Sequence, residues 1–143
     1  MQSEKTTVLE KGQLVGQVQE KSTTRTVKEV TPFGVKLELN LEGQFAGGMY
    51  EAQHIETVSA HLKMDGAMDF EAKAIETTTQ GEVLVYVARG TGKQTGPTTF
   101  SGEAESLIMT QAPRLAALNN TIVTVEITAN PASGEVQLKI FKK

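Results

Sequence analysis

Hydrophobic side chains recur at every second position along most of this chain. Val35, Leu37, Leu39 and Leu41 alternate with Lys36, Glu38, Asn40 and Glu42. Val58, Ala60, Leu62 and Met64 alternate with Ser59, His61 and Lys63, and Met68, Phe70, Ala72 and Ala74 with Asp69, Glu71 and Lys73. Val123, Val125 and Ile127, then Val136, Leu138 and Ile140, repeat the pattern near the C-terminus. Successive side chains of a strand point to opposite faces, so a two-residue period marks strands with one buried face. The 18 threonines suit the same surfaces, because a branched Cβ fits a pleated sheet.

Turn-forming residues fall between these runs, at Thr31-Pro32-Phe33-Gly34, Ala46-Gly47-Gly48, Asp65-Gly66, Gln80-Gly81, Gly90-Thr91-Gly92, Thr95-Gly96-Pro97 and Asn130-Pro131-Ala132-Ser133-Gly134. Asp65-Gly66 lies directly between two alternating runs, the strongest hairpin signal in the chain. Short strands joined by tight turns predict a meander, and closing it removes sticky edges. The expectation is therefore an all-β fold: one domain over residues 1–143, a closed antiparallel up-and-down barrel of about eight strands with one short helix. The helix candidate is Ala112 to Leu118, where Pro113 suits a first turn. The first ten or so residues are expected to be loosely held, although Val8, Leu9, Leu14 and Val18 are apolar enough to pair.

Composition narrows the function classes. The 143 residues carry 14 basic and 17 acidic side chains, a net charge of -3, with no basic cluster to neutralise phosphates, so nucleic acid is not an expected partner. Lys5, Lys11, Lys21, Arg25 and Lys28 each have a Glu nearby (Glu4, Glu10, Glu20 or Glu29), which reads as a solvated mixed-charge surface. The absence of cysteine removes disulfides and thiolate chemistry. Neither a secretory leader nor a membrane-spanning run is visible, and seven aromatics without Trp do not build the girdles of a membrane barrel. A soluble, cytoplasmic protein without membrane contact is expected. Val83 to Ala88 is apolar on both faces, and its outward face needs a cover, so a homo-oligomer is expected.

The order of several pieces is more informative than any one of them. Thr31-Pro32-x-Gly34 precedes Leu41-Glu42-Gly43-x-Phe45-x-Gly47, then Asp65-Gly66, then Gly81-Glu82-Val83-Leu84-Val85-Tyr86-Val87 with Arg89-Gly90. Thr110-x-Ala112-Pro113-Arg114-Leu115 and Leu118-Asn119 follow, and Val136-x-Leu138-x-Ile140-Phe141 ends the series. From about residue 31 onward the chain resembles the uncharacterised bacterial protein family numbered 0311, also called domain of unknown function family 3237. The resemblance implies an antiparallel barrel with a small internal cavity and no established activity. Where that family usually has Gly-Gly-Ala-Asp-Trp, this chain has Ala52-Gln53-His54-Ile55-Glu56, and Ala117 stands where the family has Trp before Leu-Asn, so roles of that Asp and Trp do not carry over.

Few residues suggest chemistry. His54 and Glu56 share a strand face, and Tyr50 has the same parity, so one strand would space them about 7 Å apart. His54 with Glu56, or Glu56 with Tyr50, could form an acid–base pair in a dry pocket; alternatively they are ordinary polar residues of an exposed face. Imidazole and carboxylate also bind metals, but His61 falls on the opposite face from His54 and no third ligand is visible, so no metal and no cofactor is expected. Arg89, before a glycine turn, could clamp a carboxylate. Arg114 and Asn119 flank the short helix, where they either border a cavity or make structural contacts. Gly90-Thr91-Gly92-Lys93 lacks the spacing of a phosphate loop, and no serine has the setting of a hydrolase nucleophile. The candidate ligand-binding set is Tyr50, His54 and Glu56, with Tyr86, Arg89, Arg114 or Asn119 at its rim, and catalytic residues are unknown. The expected function is binding of an apolar or weakly polar small molecule inside the barrel. The alternatives are an isomerase- or cyclase-type enzyme using one acid–base pair, or a structural, oligomer-forming barrel without ligand.

Overall fold

The computed structural model describes residues 9–143. Eight antiparallel strands follow one another around a closed barrel: β1 (Leu14–Thr31), β2 (Gly34–Gly47), β3 (Glu51–Lys63), β4 (Ala67–Thr78), β5 (Val83–Gly96), β6 (Thr99–Thr110), β7 (Thr121–Asn130) and β8 (Glu135–Lys142), with β8 pairing back onto β1. Each alternating run of the sequence is one of these strands, and the inward face is the apolar one. The short helix expected at Ala112 to Leu118 is a 3-10 segment, Pro113–Leu118, between β6 and β7. Pro113 starts it without needing an N–H donor, and Leu115 departs from helical geometry, so no regular helix builds up.

Two expectations about the N-terminal segment resolve differently. Leu14 and Val18 lie in β1 and Leu9 packs against the core, whereas Val8 lies outside the described residues. At Asp65-Gly66 the glycine takes φ +90°, and the Asp65 carboxylate accepts the Ala67 N–H at 3.0 Å, which closes the β3–β4 hairpin. No helix among the described residues is long and apolar enough to cross a membrane.

The barrel has two unlike ends. The β1–β2, β3–β4, β5–β6 and β7–β8 hairpins all lie at one end, which is open. At the other end the 3-10 segment turns Leu115 and Leu118 into the lumen, where both are fully buried beside Val18, Phe45, Leu84, Ile108 and Val123. The Phe45 and Tyr50 rings stack there at 4.3 Å. Arg114 secures this plug from outside: its guanidinium donates two hydrogen bonds to Glu82, at 2.6 and 2.9 Å, and one to the Met49 carbonyl at 2.8 Å.

Candidate functional site

Along β3 the even positions face inward without a bulge, so His54 and Glu56 enter the lumen and His61 stays outside. In β4 the inward run of Phe70, Ala72 and Ala74 continues to Glu76, and in β1 the inward Val18 is followed by Glu20. Strand register then brings distant residues together. Glu20 lies opposite Gly43, Gly43 opposite His54, and His54 opposite Glu76. Gly43 has no side chain to stand between Glu20 and His54. A Cβ there would lie 1.9 Å from the Gln19 carbonyl oxygen, so the position tolerates only glycine without movement of β1.

The result is a buried polar stack. Its deepest members are Tyr50 and Tyr86, whose hydroxyls are 2.6 Å apart. The Tyr50 hydroxyl also donates to Glu76. The other oxygen of Glu76 lies 2.7 Å from Nδ1 of His54, and Nε2 of His54 lies 3.0 Å from Glu56 Oε1 and 3.6 Å from Glu20 Oε1. His54 is 2% exposed, Glu76 0% and Glu20 6%. One polar side-chain atom of this group, Glu20 Oε1, is buried with no hydrogen-bond partner.

Electrostatics follow from that burial. Burial alone would lower the pKa of His54. Hydrogen bonds to Glu56 and Glu76, with the charges of Glu20 and Glu56, outweigh it and hold the imidazole at about 10, so both ring nitrogens donate. The Glu20 carboxyl is pushed up to about 9, first by burial and then by the charge of Glu56, against the opposing pull of His54. Burial also raises both tyrosines above the usual phenol range, and both hydroxyls stay neutral.

Above this stack, toward the open end, lies a cavity of about 300 Å³. Its walls are Leu37, Leu39, Leu41, Val58, Leu62, Met68, Phe70, Phe100, Ile127 and Leu138, and its floor is Glu20 and Glu56. Ser22, Arg25, Gln94 and Asn130 border it nearer the hairpins. The cluster thus joins an apolar chamber to a hydrogen-bonded stack of a carboxyl pair, an imidazole, a further carboxylate and two phenols. Such an arrangement can bind a polar group, move a proton, or hold a cation between Glu20, His54 and Glu56, where one ligand atom of each lies within 4.8 Å of the others.

The sequence-derived candidates divide accordingly. Tyr50, His54, Glu56 and Tyr86 come together; Tyr50 sits just before β3 rather than in it, and Tyr86 lies at the bottom of the stack, not at a rim. Arg89 faces outward and pairs with Glu71 at 2.8 Å, both side chains well exposed. Arg114 and Asn119 are at the plugged end, away from the cavity mouth. Arg114 holds the plug, and the Asn119 side chain accepts the Thr110 N–H at 3.0 Å.

Two members were missed. Glu20, read as part of a solvated mixed-charge surface, is instead buried, because it continues the inward parity of Val18 rather than facing its neighbour Lys21. Glu76 had a comparable signal, two residues beyond the inward Ala74.

No known family model matches the chain, and no curated protein is similar to it. Solved structures share its fold. A conserved protein of unknown function from Rhodopseudomonas palustris is 15% identical with a TM-score of 0.76, over 96% of this chain and 99% of that one. A β-barrel-like protein from Acinetobacter baumannii is 11% identical with a TM-score of 0.78, over 92% of this chain and 94% of that one. A structure described as an enzyme from Penicillium herquei is 15% identical with a TM-score of 0.63, over 99% of this chain and the whole of that one. At such identities the likeness concerns the fold, and that fold is a small closed antiparallel β-barrel.

Proposed function

We propose that the protein binds a small, mainly apolar molecule in the open half of the barrel, with one oxygen of the ligand meeting Glu20 and Glu56. The observation that carries this reading is a chamber with mostly apolar walls ending on a buried carboxyl oxygen without a partner. An unpaired buried polar atom costs about 1–3 kcal/mol, and a ligand hydroxyl or carbonyl in the chamber would recover that cost. Apolar walls with few polar groups are the usual composition of small-molecule sites. 1-Naphthol and naphthalene make a suitable pair of probes, alike in shape and differing in one hydroxyl. Calorimetry or NMR titration should show naphthol binding more tightly, Glu20→Gln narrowing the difference, and Leu39→Trp, which fills the chamber, abolishing both. Absence of binding at the probes' solubility limits, or binding indifferent to Leu39→Trp, overturns the reading.

A second reading is an isomerase- or cyclase-type enzyme working by proton transfer. It is favoured by an imidazole set among three carboxyl groups at the foot of the chamber, and by the description of one fold neighbour as an enzyme. Exchange of the α-hydrogens of 2-tetralone with D2O tests it: wild type should accelerate exchange and Glu56→Gln should not.

Two features outside the lumen belong to the same proposal. The resemblance to family 0311 is supported by the order of its motifs along a barrel of the implied kind. A homo-oligomer is supported by a row of outward apolar residues, Ile55 opposite Ile75, Ile75 opposite Val85, and Val85 opposite Met109.

A further inference from the structure

We propose that the floor of the chamber is a site for one divalent transition-metal cation, held by Glu20, Nε2 of His54 and Glu56. The inference deepens the binding reading and rests on it: the cation is what the ligand's oxygen meets. Three separate observations converge on this point.

The first is the spacing of the donors. Nε2 of His54 is 3.0 Å from Glu56 Oε1 and 3.6 Å from Glu20 Oε1. Donors about 2.1 Å from a shared cation lie roughly 3–3.5 Å apart at tetrahedral or octahedral angles. Nε2 and Glu56 already stand at such a separation, and Glu20 is about 0.1 Å beyond it. One ligand atom of each of the three lies within 4.8 Å of the others, so small side-chain shifts bring them into a common coordination sphere. Gly43 makes this possible, since any side chain there would drive β1 away from β2 and carry Glu20 away from His54.

The second is the unpaired oxygen. Glu20 Oε1 is within reach of His54 yet has no hydrogen-bond partner, and its side chain is 1% exposed. A cation placed among the three donors takes up this lone pair. It replaces two protons, the one between Nε2 and Glu56 and the one on the Glu20 carboxyl, and both pass to solvent.

The third is the support behind the imidazole. His54 Nδ1 donates to Glu76, which is itself oriented by the Tyr50 hydroxyl. Metal-bound histidines commonly donate their second N–H to a carboxylate in this way, which fixes the ring and directs the free nitrogen at the metal. Here Nε2 points at the carboxyl pair, and both Glu20 and Glu56 border the chamber, from which water or a ligand oxygen completes the sphere. One imidazole nitrogen with two carboxylate oxygens suits Zn²⁺, Mn²⁺, Fe²⁺ or Co²⁺ better than Mg²⁺ or Ca²⁺, which prefer oxygen alone.

The test uses the full chain, stripped with chelator and dialysed, and Zn²⁺ alone as probe, with Mg²⁺ for contrast. Calorimetry should give one Zn²⁺ per chain and much weaker Mg²⁺ binding. Glu20→Gln and His54→Gln should each weaken Zn²⁺ at least 100-fold. Glu76→Gln, a change in a positioning residue, should weaken it about 10- to 100-fold at unchanged stoichiometry. His61→Asn, on the outer surface, should change nothing. If the inner variants do not fold, ¹⁵N chemical shifts of wild type decide: Zn²⁺ must move Nε2 of His54 and leave His61 unaffected. No Zn²⁺ binding, or binding that follows His61 instead, overturns the proposal. Naphthol binding to the stripped protein separates the two readings. Naphthol without Zn²⁺ binding sinks the metal site alone, and Zn²⁺ without naphthol binding sinks the small-molecule pocket alone.

Discussion

The two halves of the barrel are lined by the same eight strands, yet one is solid and the other hollow. In the plugged half, Val18, Phe45, Leu84, Ile108, Leu115, Leu118 and Val123 are at most 1% exposed. In the open half, Leu37, Leu39, Val58, Leu62 and Met68 are only half-buried and border a 300 Å³ chamber. Alternation supplies apolar residues to both halves; the plug supplies a lid to only one. The buried ionisable groups lie at the boundary, covered from below by packing and reached from above through the chamber. Packing therefore excludes water beneath His54, and the lack of it leaves room above Glu20.

The largest effect that separates the halves concerns alkali. The chain has two tyrosines, and both hydroxyls lie in the plugged half. Burial first, then Tyr86 and Glu76 for Tyr50, and Glu76 against the opposing hydrogen bond of Tyr50 for Tyr86, keep their pKa values above the usual phenol value. A phenol whose pKa is raised by folding stabilises the fold below its unfolded pKa and loses that contribution as pH rises toward the folded value. Above pH of about 10 the unfolded chain releases protons that the folded chain retains, so stability falls by up to about 1.4 kcal/mol per pH unit per tyrosine. Absorbance at 295 nm should stay flat until circular dichroism reports unfolding, and then rise in the same transition. A gradual rise near pH 10 in the folded protein would mean that water reaches the stack from below, and the contrast between the halves would fail.

Leucine truncation measures the same contrast by packing. Leu118→Ala empties a fully enclosed position and should cost about 2–5 kcal/mol in urea denaturation. Leu39→Ala removes methyl groups that already face open space and should cost about 1 kcal/mol. Equal losses would indicate that the chamber is closed in solution.

Much of this was legible in the sequence, and the reason for the remainder is specific. Alternation and turn residues are local, and they sufficed for the closed barrel and its strand count, although Gly90-Thr91-Gly92, read as a turn, lies inside β5. Parity placed His54 and Glu56 on one face and His61 on the other, as found. Parity alone does not say which face is inside, and a Glu within an inward run looks like any Glu of a wet face. Glu20 illustrates the limit: Lys21 next to it invited an ion-pair reading, while the strand pairing that carries it across Gly43 to His54 joins residues more than thirty positions apart. Register of that kind has no local signature. The plug did have a local signature, since Pro113 marked the first turn of the short helix, which is a 3-10 segment.

Gly43 offers a more limited test of the boundary. Gly43→Ala places a methyl group against the Gln19 carbonyl and should destabilise by about 1–3 kcal/mol or more, because backbone must move. Gly96→Ala, at the open end with nothing near its would-be Cβ, should stay within about 0.5 kcal/mol. A tolerated alanine at Gly43 would show that β1 and β2 can separate, and that Glu20 and His54 are less firmly held than the register implies.

The smallest effect on stability is expected on the outer surface, where the halves differ again. Outside the open half, charges pair across strands, Lys63 with Asp69 at 3.0 Å and Arg89 with Glu71 at 2.8 Å. Such exposed pairs add little stability, and their value there is solvation. Outside the plugged half, Ile55, Ile75, Val83, Val87 and Ile122 are each between 42% and 49% exposed. Ile75 lies between Ile55 and Val85 in the cross-strand row, so a charge at that position should disrupt any association through this face. Ile75→Lys should leave the chain's own stability within about 0.5 kcal/mol, since the site is on the surface. In light scattering at high micromolar concentration the wild type should exceed the 15.4 kDa of one chain, and the variant should return to it. A wild type that already scatters as one chain would leave the apolar row without a second copy to cover it. An oligomer that survives the lysine would have to associate through some other face, and the proposed link between the apolar exterior and self-association would be lost.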